Sequence, residues 1–144
     1  MKEETEDSIG LIAGRGKLPI VIAKKLLELN KSLLVITFDK ESFDQFKSVT
    51  DNVHQINLLE VEMSINLLKS NSIKKVLFAG KVEKQELHLN KNLDHSALKI
   101  LSNLKDQSDD SIMLGIINEL EQVGIMTIPQ EPLDKLKAAV VQAG

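Results

Sequence analysis

Residues 8–19 read Ser8-Ile9-Gly10-Leu11-Ile12-Ala13-Gly14-Arg15-Gly16-Lys17-Leu18-Pro19, and the fold is decided there. Ser8 to Ala13 is a short apolar run closed by Gly14-Arg15-Gly16, the pattern of a buried strand that ends in a tight turn. The chain then places apolar residues at Leu18, Val21, Ile22, Leu26 and Leu29. Pro19 falls in the first turn of that predicted helix, where a missing N–H breaks no intrahelical hydrogen bond. Strand, glycine turn and amphipathic helix in succession make the opening βα unit of an α/β domain.

The same alternation continues downstream. Ser32 to Phe38 is apolar without alternation, as expected of a strand buried on both faces. Asp39 to Ser48 predicts a short helix with Phe43 and Phe46 on one side. Val53 to Leu58 predicts a third strand, less apolar and so nearer a sheet edge. Val61, Ile65 and Leu68 mark the next helix, and Lys75 to Ala79 is a fourth strand that stops at Gly80. Lys81 to Asn92 is polar and reads as a loop, followed by a helix defined by Leu93, Ala97, Ile100 and Leu104. A further helix runs from Asp109 to Val123, with Ile112, Met113, Ile116, Ile117, Leu120 and Val123 on its predicted buried face, until Gly124 stops it. Ile125 to Pro129 is a fifth strand, and the tail from Gln130 to Gly144 has room for a short helix. Right-handed crossovers then favour a three-layer, Rossmann-like α/β domain over residues 8–129, with a five-stranded parallel sheet in the order 3-2-1-4-5. Residues 130–144 form a separate, divergent tail.

Composition limits the function. At 144 residues the chain has room for one ordinary domain, and 42% hydrophobic content suffices for a core. That core is aliphatic, because Trp and Tyr are absent and aromatics make up 3%. A net charge of -3 is the wrong sign for non-specific nucleic-acid binding, which needs clustered cations on phosphate. Without cysteine there can be no disulfide, thiolate metal site or thiol nucleophile. The acidic opening, Met1 to Asp7, argues against a secretory signal or mitochondrial presequence, and no apolar run approaches the ~20 residues of a membrane span. The expected setting is the cytoplasm.

Ligands of such sheets gather at the carboxyl ends of the strands, where the strand order reverses. Strands 1 and 4 flank that point and end in Ala13-Gly14-Arg15-Gly16-Lys17 and Ala79-Gly80-Lys81-Val82-Glu83-Lys84. Both turns pair glycine with basic side chains, so amides and cations can converge on one anionic group, with the first helix adding its N-terminal dipole. The plainer alternative is that the glycines serve only the turns and that Arg15, Lys17 and Lys81 are solvated surface. Two familiar phosphate signatures fail. A G-x-G-x-x-G fingerprint starting at Gly14 requires a small residue where Pro19 stands, and a Walker loop requires a hydroxyl where Leu18 follows Gly16-Lys17. Asp39 can serve ribose hydroxyls or simply cap the next helix. Ser108-Asp109-Asp110-Ser111 offers either carboxylates for magnesium or an N-cap. His54, His88 and His95 have neither metal-ligand nor triad spacing.

The string Gly10-Leu11-Ile12-Ala13-Gly14-Arg15-Gly16-Lys17-Leu18-Pro19 closely resembles the opening of the LpxI family of UDP-2,3-diacylglucosamine pyrophosphatases, and the likeness continues through Ala79-Gly80-Lys81-Val82 and the Asp109-Asp110 helix with Asn118-Glu119-Leu120-Glu121. The resemblance covers Ile9 to Pro129, the family's N-terminal domain. It implies magnesium-dependent hydrolysis of the substrate's pyrophosphate bond in lipid A biosynthesis, giving UMP and the acylated sugar phosphate lipid X. It also implies a Rossmann-like N-terminal domain and a larger C-terminal domain with the lipid held between them. Carried over by motif, Gly14, Arg15, Gly16, Lys17, Gly80 and Lys81, with Leu18 and Val82 beside them, would line the substrate site, and Asp109 and Asp110 are further candidates. The family's essential acidic chemistry lies in its C-terminal domain, and Asp134 to Gly144 does not follow the expected continuation into it. The expectation is therefore a substrate-binding half that is inactive alone, carrying Mg2+ ligands outside this chain. Its lipid substrate would bring it to the inner-membrane surface. Two other readings stay open: an NAD(P)-binding domain using Gly14-x-Gly16 and Asp39, and a non-catalytic module that self-associates or folds around a partner.

Overall fold

A computed structural model describes residues 8–57, 60–80, 100 and 109–128, those at 109–113 as backbone alone. The apolar run at the start is strand β1 (Ser8–Ala13), followed by α1 (Leu18–Glu28), β2 (Ser32–Thr37), α2 (Lys40–Lys47), β3 (Val53–Gln55), α3 (Val61–Ser70) and β4 (Lys75–Ala79). Helix α4 (Asp109–Gln122) and strand β5 (Met126–Ile128) complete the described residues. The five strands lie in the order β3-β2-β1-β4-β5 and every pairing is parallel, as the uninterrupted apolar strands predict.

Alternate side chains of each central strand serve opposite faces. Leu11 and Ala13 of β1, Leu33 and Val35 of β2, and Leu77 and Ala79 of β4 pack with Ile22, Ala23 and Leu26 of α1 and Phe46 of α2. On the other face, Ile12, Leu34, Ile36, Val76 and Phe78 pack with Val61, Ile65 and Leu68 of α3 and Ile116 and Leu120 of α4. Ile100 is buried in this second cluster, as the predicted periodicity requires. Each such aliphatic side chain contributes about 1.5–3 kcal/mol when fully buried, so neither face is dispensable. The helices change faces between β3 and β4, which makes the sheet doubly wound and puts its switch point between β1 and β4.

Register carries the fold to the site. Ala13 is level with Thr37 on one side and Ala79 on the other, so β1, β2 and β4 end together and release their turns at one rim.

Some expectations shift. The buried stripe of α1 is Pro19, Ile22, Ala23 and Leu26, a regular i, i+3, i+4, i+7 set, which turns Leu18 and Val21 outward at 43% and 44% exposure. Val123 is likewise exposed, because the helix has ended and residues 123–124 form its closing turn. Strands β3 and β5 are three residues each, shorter than their apolar runs, as suits the two sheet edges. The predicted loop at 81–92, most of the predicted helix around 93–104 and the tail from 130 lie outside the described residues, with His88 and His95. Among the described residues no helix is long and apolar enough to cross a membrane.

Candidate functional site

The turns after β1 and β4 touch. The Gly14 amide donates to the Ala79 carbonyl at 2.8 Å, extending the β1–β4 ladder past the strand ends. Gly80 follows at φ 90°, a conformation only glycine adopts without strain. A side chain there has no room. A Cβ on Gly80 would lie 2.8 Å from the Gly14 carbonyl carbon, 2.8 Å from Pro19 Cγ and 2.9 Å from the Arg15 oxygen. Pro19, the residue that breaks the dinucleotide fingerprint, is thus packed against a glycine from the neighbouring strand. The close approach of helix to strand end is made in a different way.

The start of α1 is open to a ligand. Lys17 stands at its N-cap and supplies no side-chain acceptor, since an ammonium has none, so the first-turn amides lack a capping side chain. Gly16 at φ 118° has nothing within 4 Å of where a Cβ would sit, so the turn faces open space. Arg15 leans the other way: Nη1 lies 3.7 Å from Asp39 Oδ2 and 4.0 Å from Glu41 Oε1. Asp39 is the N-cap of α2. Its Oδ2 accepts from the Ser42 amide at 3.0 Å and its Oδ1 from the Ser42 hydroxyl at 2.8 Å. Of the two readings of Asp39, capping is the one realised, and both its oxygens are engaged rather than presented to a ribose. This leaves the NAD(P) reading without its acidic anchor.

Beside the turn a groove of about 480 Å3 runs between the two helices on this face. Arg15, Gly16, Lys17, Ile20 and Val21 line one side, and Glu41, Ser42 and Gln45 of α2 the other. The predicted site residues are therefore distributed as follows. Arg15, Gly16 and Lys17 line the groove; Gly14 and Gly80 form the contact beneath them; Leu18 is exposed beside them on α1. Asp109 and Asp110 open α4 as backbone, and their side chains, with Ser108, Lys81 and Val82, lie outside the described residues. Sequence reasoning missed Ile20, Val21, Glu41, Ser42 and Gln45. The signal was present as helical spacing: 17, 20 and 21 share one face of α1, and 41, 42 and 45 one face of α2.

The described residues do not fit magnesium. Among them no group of three His, Asp or Glu side chains could hold a metal ion, and the two carboxylates nearest the groove, Asp39 and Glu41, converge on Arg15. His54, on β3, has its Nε2 3.1 Å from Asn52 Oδ1, a local contact away from the groove.

Sheet order, level strand ends and an uncapped helix start beside two touching glycine turns define a doubly wound α/β domain with an anion-compatible rim at its switch point. Compared with known families, residues 8–135 match the LpxI N-terminal domain, and the chain belongs to the LpxI family. No curated protein matches it.

Proposed function

We propose that this domain is the substrate-binding N-terminal part of a UDP-2,3-diacylglucosamine pyrophosphatase, and that the Gly14–Lys17 turn, together with Gly80 and Lys81, receives the substrate's diphosphate. The observation that supports the reading is the contact of the two turns: Gly80 lies against Gly14 and Arg15, so an anion held at the first turn is within reach of the second. First-turn amides and the dipole of α1 favour an anion there, and the side chains of Arg15 and Lys17 add positive charge. Hydrolysis adds water across the P–O–P linkage, breaking one phosphorus–oxygen bond and giving UMP and lipid X. Among the described residues no group of three His, Asp or Glu side chains could hold a metal ion, and the part we assign to these residues is to bind and orient the substrate. Magnesium, which the family resemblance implies, would be held by other groups, and the lipid part of the substrate would keep the protein at the membrane surface.

Titrating UDP-2,3-diacylglucosamine and lipid X in a thermal-shift assay tests this. A ligand at 100 times its Kd stabilises by about 2.7 kcal/mol, a shift of several degrees for a domain of this size. Lys17→Ala should shrink the shift. No stabilisation by either compound overturns the reading.

A further inference from the structure

The guanidinium that the reading above assigns to the diphosphate is already faced by two carboxylates. Both address the same nitrogen: Arg15 Nη1 lies 3.7 Å from Asp39 Oδ2 and 4.0 Å from Glu41 Oε1. A charge-assisted N–H···O bond is about 2.7–2.9 Å long, so these two contacts are ion pairs held by Coulomb attraction without a hydrogen bond. Arg15 is 36% exposed, and water screens such pairs strongly.

The two carboxylates are not equivalent. Asp39 is fixed by its cap, with both oxygens accepting from Ser42. Glu41, in the first turn of α2, is 76% exposed and lines the same groove as Arg15 and Lys17. Its neighbour Lys40 is drawn to Asp44 at 3.1 Å, so it is Arg15 that Glu41 faces. Two cations and two carboxylates thus meet at this rim, and their formal charges cancel.

A phosphate oxygen at hydrogen-bond distance from Arg15 gains a short bond and must overcome the pull of Glu41 on the same group. Release runs the other way. Hydrolysis of a diphosphate diester replaces two negative charges by two phosphate monoesters of about -1.5 to -2 each. A rim without net charge repels that excess, and the departing phosphate leaves Arg15 to a carboxylate rather than to water alone.

We propose that Glu41 is a positioning residue that acts through Arg15: it competes with bound phosphate for the guanidinium, holds the affinity of the turn down and takes Arg15 back as phosphate leaves. The proposal rests on the diphosphate reading of the turn and concerns how that site releases what it binds.

Calorimetric titration of the full chain with inorganic pyrophosphate tests it as a double-mutant cycle. Glu41→Gln should tighten binding about two- to fivefold, the range of an exposed ion pair, whereas a residue that merely supported α2 would weaken binding when changed. Arg15→Gln should weaken binding about tenfold. In the Arg15→Gln background, Glu41→Gln should change nothing, because the group competed for is gone. No tightening by Glu41→Gln, or tightening that persists without Arg15 as a general field effect would, overturns the role of Glu41 and leaves the diphosphate reading standing. Absence of pyrophosphate binding by the unaltered chain and by Glu41→Gln overturns both together.

Discussion

The guanidinium of Arg15, on the turn after β1, stands 3.7 Å from the carboxylate of Asp39, on the turn after β2. One residue thereby does two jobs. Asp39 closes the N-terminus of α2 through Ser42 and holds Arg15 at the edge of the groove. The ion pair is partly exposed, with Arg15 at 36% and Asp39 at 15%, so its own contribution is small beside that of the cap. Asp39→Ala should cost about 1–2 kcal/mol in urea denaturation, most of it the lost cap. Asp39→Asn, which can still cap, should recover more than half of that. If the two variants are equally destabilised, charge rather than capping is the function of this residue.

The two glycine turns make different demands, and substitution can tell them apart. Gly16 and Gly80 both have positive φ, but a Cβ meets nothing near Gly16 and meets backbone at Gly80. Gly16→Ala should cost about 1 kcal/mol of conformational strain. Gly80→Ala adds a collision with the Gly14–Arg15 backbone and should cost about 2–4 kcal/mol, with weakened pyrophosphate binding as the turn is pushed out of place. Chemical denaturation of both variants decides it, since similar losses would mean that the turns are not in contact in solution.

Helix α2 is fixed to the sheet largely through Phe46, which is 1% exposed among Val35 and Val53. Phe46→Ala should destabilise by about 3–5 kcal/mol. Phe43 is only half-buried, with the Lys47 ammonium 5.7 Å from its ring centroid. Phe43→Ala should therefore cost about 1 kcal/mol. Equilibrium unfolding monitored by circular dichroism measures both, and a ranking in the opposite order would contradict the placement of α2.

Diphosphate binding at an exposed, cationic rim should weaken with salt, because charges in water are screened beyond about 10 Å at 0.1 M. Pyrophosphate affinity should fall several-fold between 0.05 and 0.5 M NaCl, and the Lys17→Ala variant should show a flatter dependence along with about tenfold weaker binding. A salt-independent affinity would point to recognition by something other than Arg15 and Lys17.

The elements that lie inside the sheet were legible in the sequence because burial on both faces leaves an uninterrupted apolar run. Ser8–Ala13 and Lys75–Ala79 end where Gly14 and Gly80 interrupt them. At the sheet edges the runs overshoot, since Ile56 is still buried although β3 ends at Gln55. Apolar identity alone also misplaced Val21 and Val123, for which the geometry of the turn, rather than hydropathy, decides direction. At the site, the glycines and cations of the first turn were readable as local chemistry. The opposite wall was not. Glu41 and Gln45 join Lys17 only because α1 and α2 lie side by side on one face, and no local pattern states that distance.

The hydrogen bond from Gly14 to Ala79 has a mechanical consequence. It stitches the cationic bank of the groove to the centre of the sheet, whereas the acidic bank rides on an eight-residue helix beside an edge strand. The two banks differ in compliance. Amides of α2 should exchange with solvent well before those of β1 and β4, and adjustment to guests of different breadth should come from tilting of α2 while the turn that grips the anion keeps its shape.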